Sequence, residues 1–303
     1  MTFPRQTASY LMKRFEEVGI RPVTRHGQNF LIDLNLVELL VNSAELEPCD
    51  VVLEVGTGTG SLTAMMAQRA GAVVTVELDQ QLHQLASEAL VEFDNVVMLR
   101  LDALKNKNHF QPRVLEAVRE CFDAIPNARF KLVANLPYNI ATPVLSNLLS
   151  ETPLPHSMVA TVQKEVAERI AAPPRTKDYS ALSVWMQAQC DIEIVRIMPP
   201  TVFWPRPKVD SAIIRITPNA ALRERIPDLD FFHNFARSMF FHRRKYLRSE
   251  LLSAFKDQLD KPAVDALMEK LQLGPQTRAE ELSVETLLGL CEELRGRGLT
   301  LDL

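Results

Sequence analysis

The sequence predicts an α/β protein whose main domain is a mostly parallel sheet, followed by a small all-helical domain. Short, nearly continuous apolar segments alternate with segments of helical periodicity up to about residue 218. Such alternation is typical of a doubly wound parallel sheet, whose strands are buried on both faces. Residues 228–303 show only helical periodicity. We therefore predict two domains, 1–220 and 221–303.

Seven strands are predicted, at 51–55, 73–77, 96–99, 130–134, 157–162, 191–197 and 211–216. Helices are predicted at 8–18, 33–41, 60–70, 79–91, 111–122, 141–149, 164–172 and 179–189. Asp33 is the candidate N-cap of the second helix. The last two strands are separated only by the proline-rich segment 198–208, which leaves no room for a helix. These two strands should therefore pair antiparallel.

Composition and charge restrict the class of protein. The chain is 47% hydrophobic and 24% charged with a mean hydropathy of -0.04, as is usual for a globular protein. No apolar run approaches the ~20 residues of a membrane span, and the amino terminus has no apolar core of a signal peptide. The four cysteines are far apart, so we expect a reduced, cytoplasmic protein with no metal site. Nothing in the sequence demands a dimer, and we expect a monomer.

A glycine-rich turn follows the first predicted strand. Gly56, Gly58 and Gly60 alternate with threonines, and Glu54 lies two residues before the first glycine. Ser61 occupies the third glycine position of the dinucleotide fingerprint, so the pattern favours a nucleoside cofactor without a pyrophosphate. The alternative is that the glycines serve packing alone.

Two acidic residues follow the next two strands. Glu77 lies about 20 residues beyond the glycine turn, where a ribose-binding carboxylate is expected. Asp102 follows the third strand and could accept from an adenine amino group. Because open α/β sheets bind ligands at the carboxyl ends of their strands, these positions favour a cofactor site. The alternative is that both residues are helix N-caps.

An Asn-Leu-Pro-Tyr turn at residues 135–138 follows the fourth strand. Asn135 has a side-chain carbonyl, and Pro137 forces Leu136 into an extended conformation in which its backbone carbonyl is a second acceptor. Two acceptors suit an exocyclic amine with two hydrogens, and Tyr138 has a flat ring for a base. Phe203 is the candidate for the other face of the base; alternatively it is a core residue beside Trp204. The bland alternative for the turn is a strand end with a buried tyrosine.

Several segments in order resemble the KsgA/RsmA family, the S-adenosylmethionine-dependent adenine N6,N6-dimethyltransferases of small-subunit ribosomal RNA. The similar segments are 25–31, 54–60, 135–140, 163–169, 203–211, 241–245 and 278–282. The resemblance implies a Rossmann-like class I methyltransferase fold with a seven-stranded sheet whose last strand is antiparallel. It places cofactor contacts at Asn29, Leu31, Gly56, Gly58, Glu77, Asp102 and Asn135. The chain departs from the family pattern at Ser180, where glycine is usual, and in residues 105–129, which are longer than usual.

The resemblance also implies a substrate and a partner. It implies methyl transfer to N6 of two adjacent adenines in the 3′-terminal helix of 16S ribosomal RNA. The partner would be the immature small ribosomal subunit, with a possible role in its assembly.

The charge of the whole chain argues mildly against an RNA partner, because the formal net charge is -4. A local patch decides contact, however. The best candidate is the basic run near residue 240, with Arg237, Arg243, Arg244, Lys245 and Arg248. Its spacing predicts that Arg237, Arg244 and Arg248 share one helical stripe for RNA phosphates, or alternatively an ordinary solvated face. A second basic group consists of Arg14, Arg21 and Arg25.

Three other functions stay open. The first is the same chemistry on large-subunit ribosomal RNA, as in the erythromycin-resistance methyltransferases. The second is an RNA-binding assembly factor without catalysis. The third, methylation of a small molecule or of DNA adenine, is disfavoured by the basic helical domain.

Overall fold

A computed structural model describes residues 7–17, 19, 28–242 and 244–301. Arg21, Arg25 and Arg243, which the sequence singles out as RNA contacts, lie outside these residues. The strands are β1 (Phe30–Leu31), β2 (Asp50–Val55), β3 (Ala72–Val76), β4 (Val96–Leu99), β5 (Leu104–Asn106), β6 (His109–Phe110), β7 (Arg129–Asn135), β8 (Ser157–Gln163), β9 (Cys190–Met198), β10 (Phe203–Trp204) and β11 (Ser211–Pro218).

The helices begin with α1 (Ala8–Glu17), α2 (Leu34–Ser43), α3 (Ser61–Ala67), α4 (Gln80–Ala89), α5 (Pro112–Ala124), α6 (Ala141–Leu148) and α7 (Lys164–Ala171). They continue with α8 (Ala181–Gln187), α9 (Ala220–Arg223), α10 (Leu229–Met239), α11 (Leu247–Ala254), α12 (Lys261–Lys270) and α13 (Val284–Gly296). Short 3-10 turns lie at Pro200–Val202 and Ala279–Glu281.

Seven strands form one sheet in the order β4-β3-β2-β7-β8-β11-β9. Strand β2 pairs in parallel with β3 and β7, and the parallel pairing continues from β3 to β4 and from β7 to β8. Strand β11 is antiparallel to β8. The predicted α/β class, the seven strands and the reversed final strand are confirmed.

Local sequence explains most element boundaries. All residues of β2 and β3 are buried, as expected for mainly apolar strands covered on both faces, and β2 also buries Asp50 and Glu54. Asp33 caps α2 as predicted, accepting from the N–H groups of Asn35 at 2.9 Å and Leu36 at 3.3 Å. The hairpin β5–β6 was not predicted, because its strands are too short for periodicity to reveal.

The chain divides into two compact units. The first comprises Met1–Ala167 and Glu193–Thr217, and the second comprises Glu168–Ile192 and Pro218–Leu303. The second unit thus includes α8, whose Trp185 stacks on Phe232 of α10 with ring centroids 6.1 Å apart. The second unit therefore contains residues 168–192 in addition to the carboxyl-terminal helices, whereas a single boundary was expected at residue 220. Apolar periodicity shows that α8 has a buried face, but it does not show which helix covers that face.

The predicted helical stripe of Arg237, Arg244 and Arg248 is wrong. Helix α10 ends at Met239 and α11 begins at Leu247, so Arg244 lies between two helices. A continuous helix would place Arg244 and Arg248 one turn apart, where like charges repel. None of the helices in the described residues is both long and apolar enough to cross a membrane.

A buried ion cluster fastens α2 to the sheet. Asp50 is fully buried; its carboxylate accepts from Arg129 Nε at 2.8 Å and lies 2.9 Å from Lys131 Nζ. The same ammonium donates to the carbonyls of Ala44 and Glu45, just beyond α2, at 2.9 Å each. Burial alone would raise the pKa of Asp50, but the hydrogen bonds from Arg129 and Lys131 outweigh it and lower the pKa.

We expect Asp50→Asn to destabilise the protein by about 3 kcal/mol at neutral pH, because it leaves a buried ammonium without its counter-charge. Since the folded pKa of Asp50 is depressed, its contribution is present above the unfolded value and is lost as the pH falls through the folded value. Urea unfolding from pH 7 to pH 2 should therefore show the two proteins converging in acid. Asp123→Asn, at an exposed position of α5, is the control and should change stability by less than about 0.5 kcal/mol. A constant difference at all pH values would contradict this account.

Candidate active site

An open cleft lies at the carboxyl ends of β2, β3 and β7 and encloses about 810 Å³ of empty space, open solvent included. Six of the seven residues that were expected to bind a cofactor line it: Asn29, Gly56, Gly58, Glu77, Asp102 and Asn135. The seventh, Leu31, lines a smaller cavity that shares Gly56, Gly58 and Asn135 with the cleft. The topology therefore brings together residues that are more than 100 positions apart in the chain.

The glycine turn shapes one wall of this cleft. Gly56 has φ +90°, and its N–H donates to the Val76 carbonyl at 2.8 Å. A side chain at Gly56 would meet the Pro137 ring at 3.3 Å, and one at Gly58, where φ is +57°, would meet the Phe30 ring at 3.1 Å. The backbone conformation and these close approaches both require glycine. The glycines thus allow the turn to pack closely against Pro137 and Phe30, and they also line the cleft.

Glu77 is held by two backbone groups. One carboxylate oxygen accepts from the Gly58 N–H and the other from the Asp79 N–H, each at 2.9 Å. Burial of the side chain raises the pKa of Glu77, although the backbone N–H groups act in the opposite direction. The N-cap of α4 is Asp79, which accepts from Gln81 and Leu82, so the helix-cap alternative for Glu77 is wrong. Glu77 instead connects the glycine turn to β3.

The next wall combines Asp102 with apolar side chains. Asp102 is exposed to the cleft and accepts from the Leu104 N–H at 2.9 Å. It precedes the strand β5, so the helix-cap alternative is wrong here also. Leu78 lines the cleft and is 55% exposed, which is unusual for a large apolar side chain. Leu78 cannot be recognised as a site residue from the sequence, because its exposure is a tertiary property.

Asn135 has a defined orientation. Its amide nitrogen Nδ2 donates to the backbone carbonyl of Asn29 at 2.8 Å. The nitrogen is therefore engaged, and the side-chain oxygen Oδ1 is the atom available to accept from a ligand. Both residues line the cleft.

The rest of the Asn-Leu-Pro-Tyr turn is anchored in the fold. Leu136 is buried and Pro137 lines the cleft against Gly56. Tyr138 is half-buried, and its hydroxyl forms a 2.6 Å hydrogen bond with the Ser211 hydroxyl of β11. Burial raises the pKa of Tyr138. The hydroxyl is thus used for anchoring, and neither Leu136 nor Tyr138 is among the described residues that line the cleft.

Phe203 is 2% exposed and packs in the apolar core beside Leu31, its partner in the β1–β10 pairing. It is not among the described residues that line the cleft. Of the two alternatives for Phe203, the structure shows the core position. Trp204, its neighbour, packs on Phe15 and Phe30 with ring centroids 5.3 and 6.3 Å away.

Glu54 belongs to the site as well, although the sequence pattern assigned it no role beyond its position before the glycine turn. It is fully buried, and its Oε2 accepts from Thr63 at 2.5 Å and from Thr75 at 2.6 Å. Its other oxygen has no hydrogen-bond partner in the described part of the chain, and the residue lines the smaller cavity. Burial raises the pKa of Glu54 to about 8.

The expected RNA contacts of the second unit differ in their environment. Arg237, Arg244 and Lys245 are exposed. Arg248 forms a bidentate ion pair with Asp265, at 2.5 and 2.8 Å, which engages its guanidinium. In the first unit, Arg14 pairs with Glu17 at 3.2 Å. Within the described ranges, no three His, Cys, Asp or Glu side chains come together as a metal site would need.

The sheet order with an antiparallel last strand, the glycine turn facing Glu77 and the Asn-Leu-Pro-Tyr turn define a Rossmann-like class I methyltransferase. This class uses an S-adenosylmethionine-type cofactor. The cleft fits a nucleoside of this kind, because its glycines leave the space that a Cβ would fill and Glu77 and Asp102 are acceptors at its wall.

More particularly, the chain belongs to the ribosomal RNA adenine dimethylase family, whose model matches residues 21–295. It is 39% identical over 271 residues to the ribosomal RNA small subunit methyltransferase A of Halothermothrix orenii, covering 88% of this chain and 86% of that protein. It is 38% identical over 275 residues to the protein of the same name from Streptococcus thermophilus, covering 90% and 92%.

Two solved structures share the fold. A dimethyladenosine transferase from Plasmodium falciparum superposes with a TM-score of 0.73 at 24% identity, covering 89% of this chain and 98% of that one. The 23S rRNA methyltransferase ErmE superposes with a TM-score of 0.60 at 26% identity, covering 88% and 99%. The predicted family is confirmed by the family model and by the relatives of 38–39% identity.

We expect Gly58→Ala to weaken cofactor binding at least tenfold, because the new methyl group meets Phe30 and left-handed backbone disfavours alanine. Calorimetric titration with S-adenosylhomocysteine measures the effect, with thermal unfolding to check the fold. Gly289→Ala is the matched control, since a Cβ there meets nothing within 4 Å and the residue lies in α13. Equal affinities of Gly58→Ala and the wild type would show that the turn does not approach the cofactor closely.

Proposed function

We propose that this protein transfers methyl groups from S-adenosylmethionine to N6 of two adjacent adenines in the 3′-terminal helix of small-subunit ribosomal RNA. The observation that carries the proposal is the orientation of Asn135, whose Nδ2 is bound to the Asn29 carbonyl at 2.8 Å. This contact engages Nδ2 and leaves Oδ1 as the acceptor of a residue that lines the cleft. The names of the relatives that are 38–39% identical support the choice of the small subunit.

In this proposal different residues of the cleft bind different parts of the cofactor. Glu77 accepts from the ribose hydroxyls, and Asp102 accepts from the adenine amino group. Leu78 covers a face of the adenine ring. Asn29, Leu31, Gly56 and Gly58 surround the remainder, in the cleft and the smaller cavity beside it. The cofactor supplies an electrophilic methyl group on a sulfonium.

The acceptors of the Asn-Leu-Pro-Tyr turn act on the nucleophile. Asn135 Oδ1 and the Leu136 carbonyl accept hydrogen bonds from the two N6 hydrogens of the target adenine. These hydrogen bonds draw the nitrogen toward tetrahedral geometry. They also stabilise the positive charge that develops on this nitrogen in the transition state. Alignment supplies much of the rate, because a methyl transfer requires the reacting atoms in line. Asn135 is positioned for this before the substrate arrives, since its amide is already bound to Asn29.

Tyr138 stacks on the unstacked adenine, and its hydroxyl contact with Ser211 keeps the ring in place. Stacking contributes ~1–3 kcal/mol per base, comparable with the cost of removing the adenine from its helix. Phe203 is only 2% exposed, so its ring would have to leave the core to reach the second face of the base. We therefore assign the primary stacking role to Tyr138.

The second unit supplies RNA contacts in this proposal. Arg237, Arg244 and Lys245 are exposed beside Phe241, which is 77% exposed. Cations bind phosphates and an exposed aromatic ring stacks on bases, so the combination suits RNA. The physiological partner is then the immature small subunit, and the protein acts as a cytoplasmic monomer.

Two alternatives are separated by direct assays. The large-subunit alternative has the 26% identity to ErmE in its favour, and methylation of isolated precursor subunits of both kinds tests it. A non-catalytic assembly factor would bind precursor subunits without incorporating labelled methyl groups. The proposal expects dimethyladenosine in the small subunit alone.

We expect Asn135→Ala to reduce single-turnover methyl transfer by about 10²–10³, the usual effect of losing one transition-state hydrogen bond. The affinity for S-adenosylhomocysteine should stay within about tenfold of the wild type, because Glu77 and Asp102 are unchanged. Asn35→Ala, at an exposed position of α2, removes an amide outside the cleft and is the control. Wild-type rates in Asn135→Ala would refute the acceptor role.

We expect Arg244→Gln with Lys245→Gln to weaken binding to precursor small subunits about tenfold at moderate salt, since two exposed cations are removed. Filter binding at several salt concentrations measures the affinity, and calorimetry should find cofactor binding unchanged. Lys256→Gln with Lys261→Gln removes the same charge from exposed positions of the same unit and is the control. If the control loses as much affinity, net charge rather than this surface attracts the RNA.

A further inference from the structure

Residues 105–129 are longer than is usual in the family, and a short, well-anchored hairpin lies at the start of this segment. Residues 104–110, here called the basic hairpin, form β5 and β6 with antiparallel pairing. The Gln111 N–H donates to the Ala103 carbonyl at 2.9 Å and closes the base of the hairpin. Leu104 and Phe110 are buried at its two ends, so the hairpin has a fixed attachment to the first unit.

The basic hairpin adjoins the cleft on the side of Asp102. Asp102 and Ala103 line the cleft, and β5 begins at the next residue. At ~3.3 Å per residue, the tip at Lys107 lies no more than roughly 13 Å from Ala103. Asn147 Nδ2 donates to the Lys107 carbonyl at 3.2 Å, which ties the tip to α6. The hairpin is thus attached at its base to the Asp102 wall of the cleft and at its tip to the last turn of α6.

The charge of the basic hairpin is one-sided and unpaired. Lys105 and Lys107 are exposed, and no acidic residue occurs from 103 to 110. Neither lysine forms an ion pair with another residue in the part of the chain that the structure describes, whereas Arg113 and Arg215 each contact two carboxylates. His109 is also exposed, but it lies near Glu151, so the argument uses the two lysines.

Lys105 and Lys107 thus carry two positive charges that no carboxylate of the described residues neutralises. Exposed positive charges of this kind attract a polyanion. A base that leaves its stack also requires that the flanking backbone be held, because the nucleotide turns about that backbone. Lysines within about 13 Å of the cleft are suited to hold the flanking phosphates.

We propose that Lys105 and Lys107 of the basic hairpin bind RNA backbone phosphates next to the target adenine. This inference rests on the proposed function, because it takes the substrate of the cleft to be an RNA adenine. It assigns a role to residues 104–110 that is independent of the surface on the second unit. The contact positions the RNA and carries no sequence information, as expected for phosphate contacts.

The test is the double variant Lys105→Gln with Lys107→Gln, compared with Lys256→Gln with Lys261→Gln, which removes equal charge from exposed positions of the second unit. Binding to precursor small subunits is measured by filter binding from 0.05 to 0.3 M salt. The slope of log affinity against log salt should fall by about 1.5, since each lost phosphate contact removes about 0.7–0.9. Affinity at 0.1 M salt should fall roughly tenfold or more, and the control pair should keep the wild-type slope.

Two further measurements separate this inference from the proposed function. Calorimetry with S-adenosylhomocysteine should give wild-type affinity, because the lysine side chains do not line the cleft. A wild-type protein that binds precursor subunits but transfers no methyl group would refute the proposed function, while the salt slopes would still report on the hairpin.

The inference is overturned by any of three results. The first is a salt slope and affinity equal to those of the wild type. The second is weaker binding with an unchanged slope, which would assign the contact to protein or base edges. The third is a parallel loss of cofactor affinity, which would mean that the hairpin acts by supporting the Asp102 wall.

Discussion

The close approach between the glycine turn after β2 and the Asn-Leu-Pro-Tyr turn after β7 is the constraint on which the site depends. A Cβ at Gly56 would lie 3.3 Å from Pro137, so the two turns are packed as closely as glycine allows. The Gly58 N–H binds Glu77 of the neighbouring strand end, and Asn135 binds the Asn29 carbonyl. Three strand ends and the segment before β1 thereby form one wall. Catalysis by alignment requires this rigidity, because small displacements of the reacting groups cost much of the rate.

Buried carboxylates have three different roles in this fold, and their hydrogen-bond partners decide which. Asp50 accepts from Arg129 and Lys131, remains ionised and fastens α2 to the sheet. Glu77 accepts from two backbone N–H groups of the described residues and lines the cleft. Glu54 is bound by two threonine hydroxyls and lies deeper, where burial favours its neutral form. Positive groups are available to Asp50 because it lies at the start of β2, away from the cleft.

Much of the fold follows from local patterns. Five of the seven strands of the sheet are evident as nearly continuous apolar runs, and Asp33 is recognisable as a helix cap. The cofactor residues were identified partly by chemistry, as glycines and acids at strand ends, and partly by family resemblance. The stripe of Arg237, Arg244 and Arg248 was mispredicted, because regular spacing does not reveal that a helix ends between them. Phe203 was identified from its motif, yet its position in the core depends on the β1–β10 pairing, which joins residues far apart in sequence.

By itself, the sequence determined the seven strands of the sheet, the helices between them and the chemistry present at the strand ends, because hydrophobic periodicity and residue type act over a few neighbouring positions. Only the tertiary structure decided the order of the strands, the carbonyl that engages the Asn135 amide and the partner that engages Arg248. It also decided that Lys105 and Lys107 stand unpaired beside the cleft, within the described residues. These properties depend on contacts between distant segments, and the energy of each such contact is set by geometry that no single segment contains.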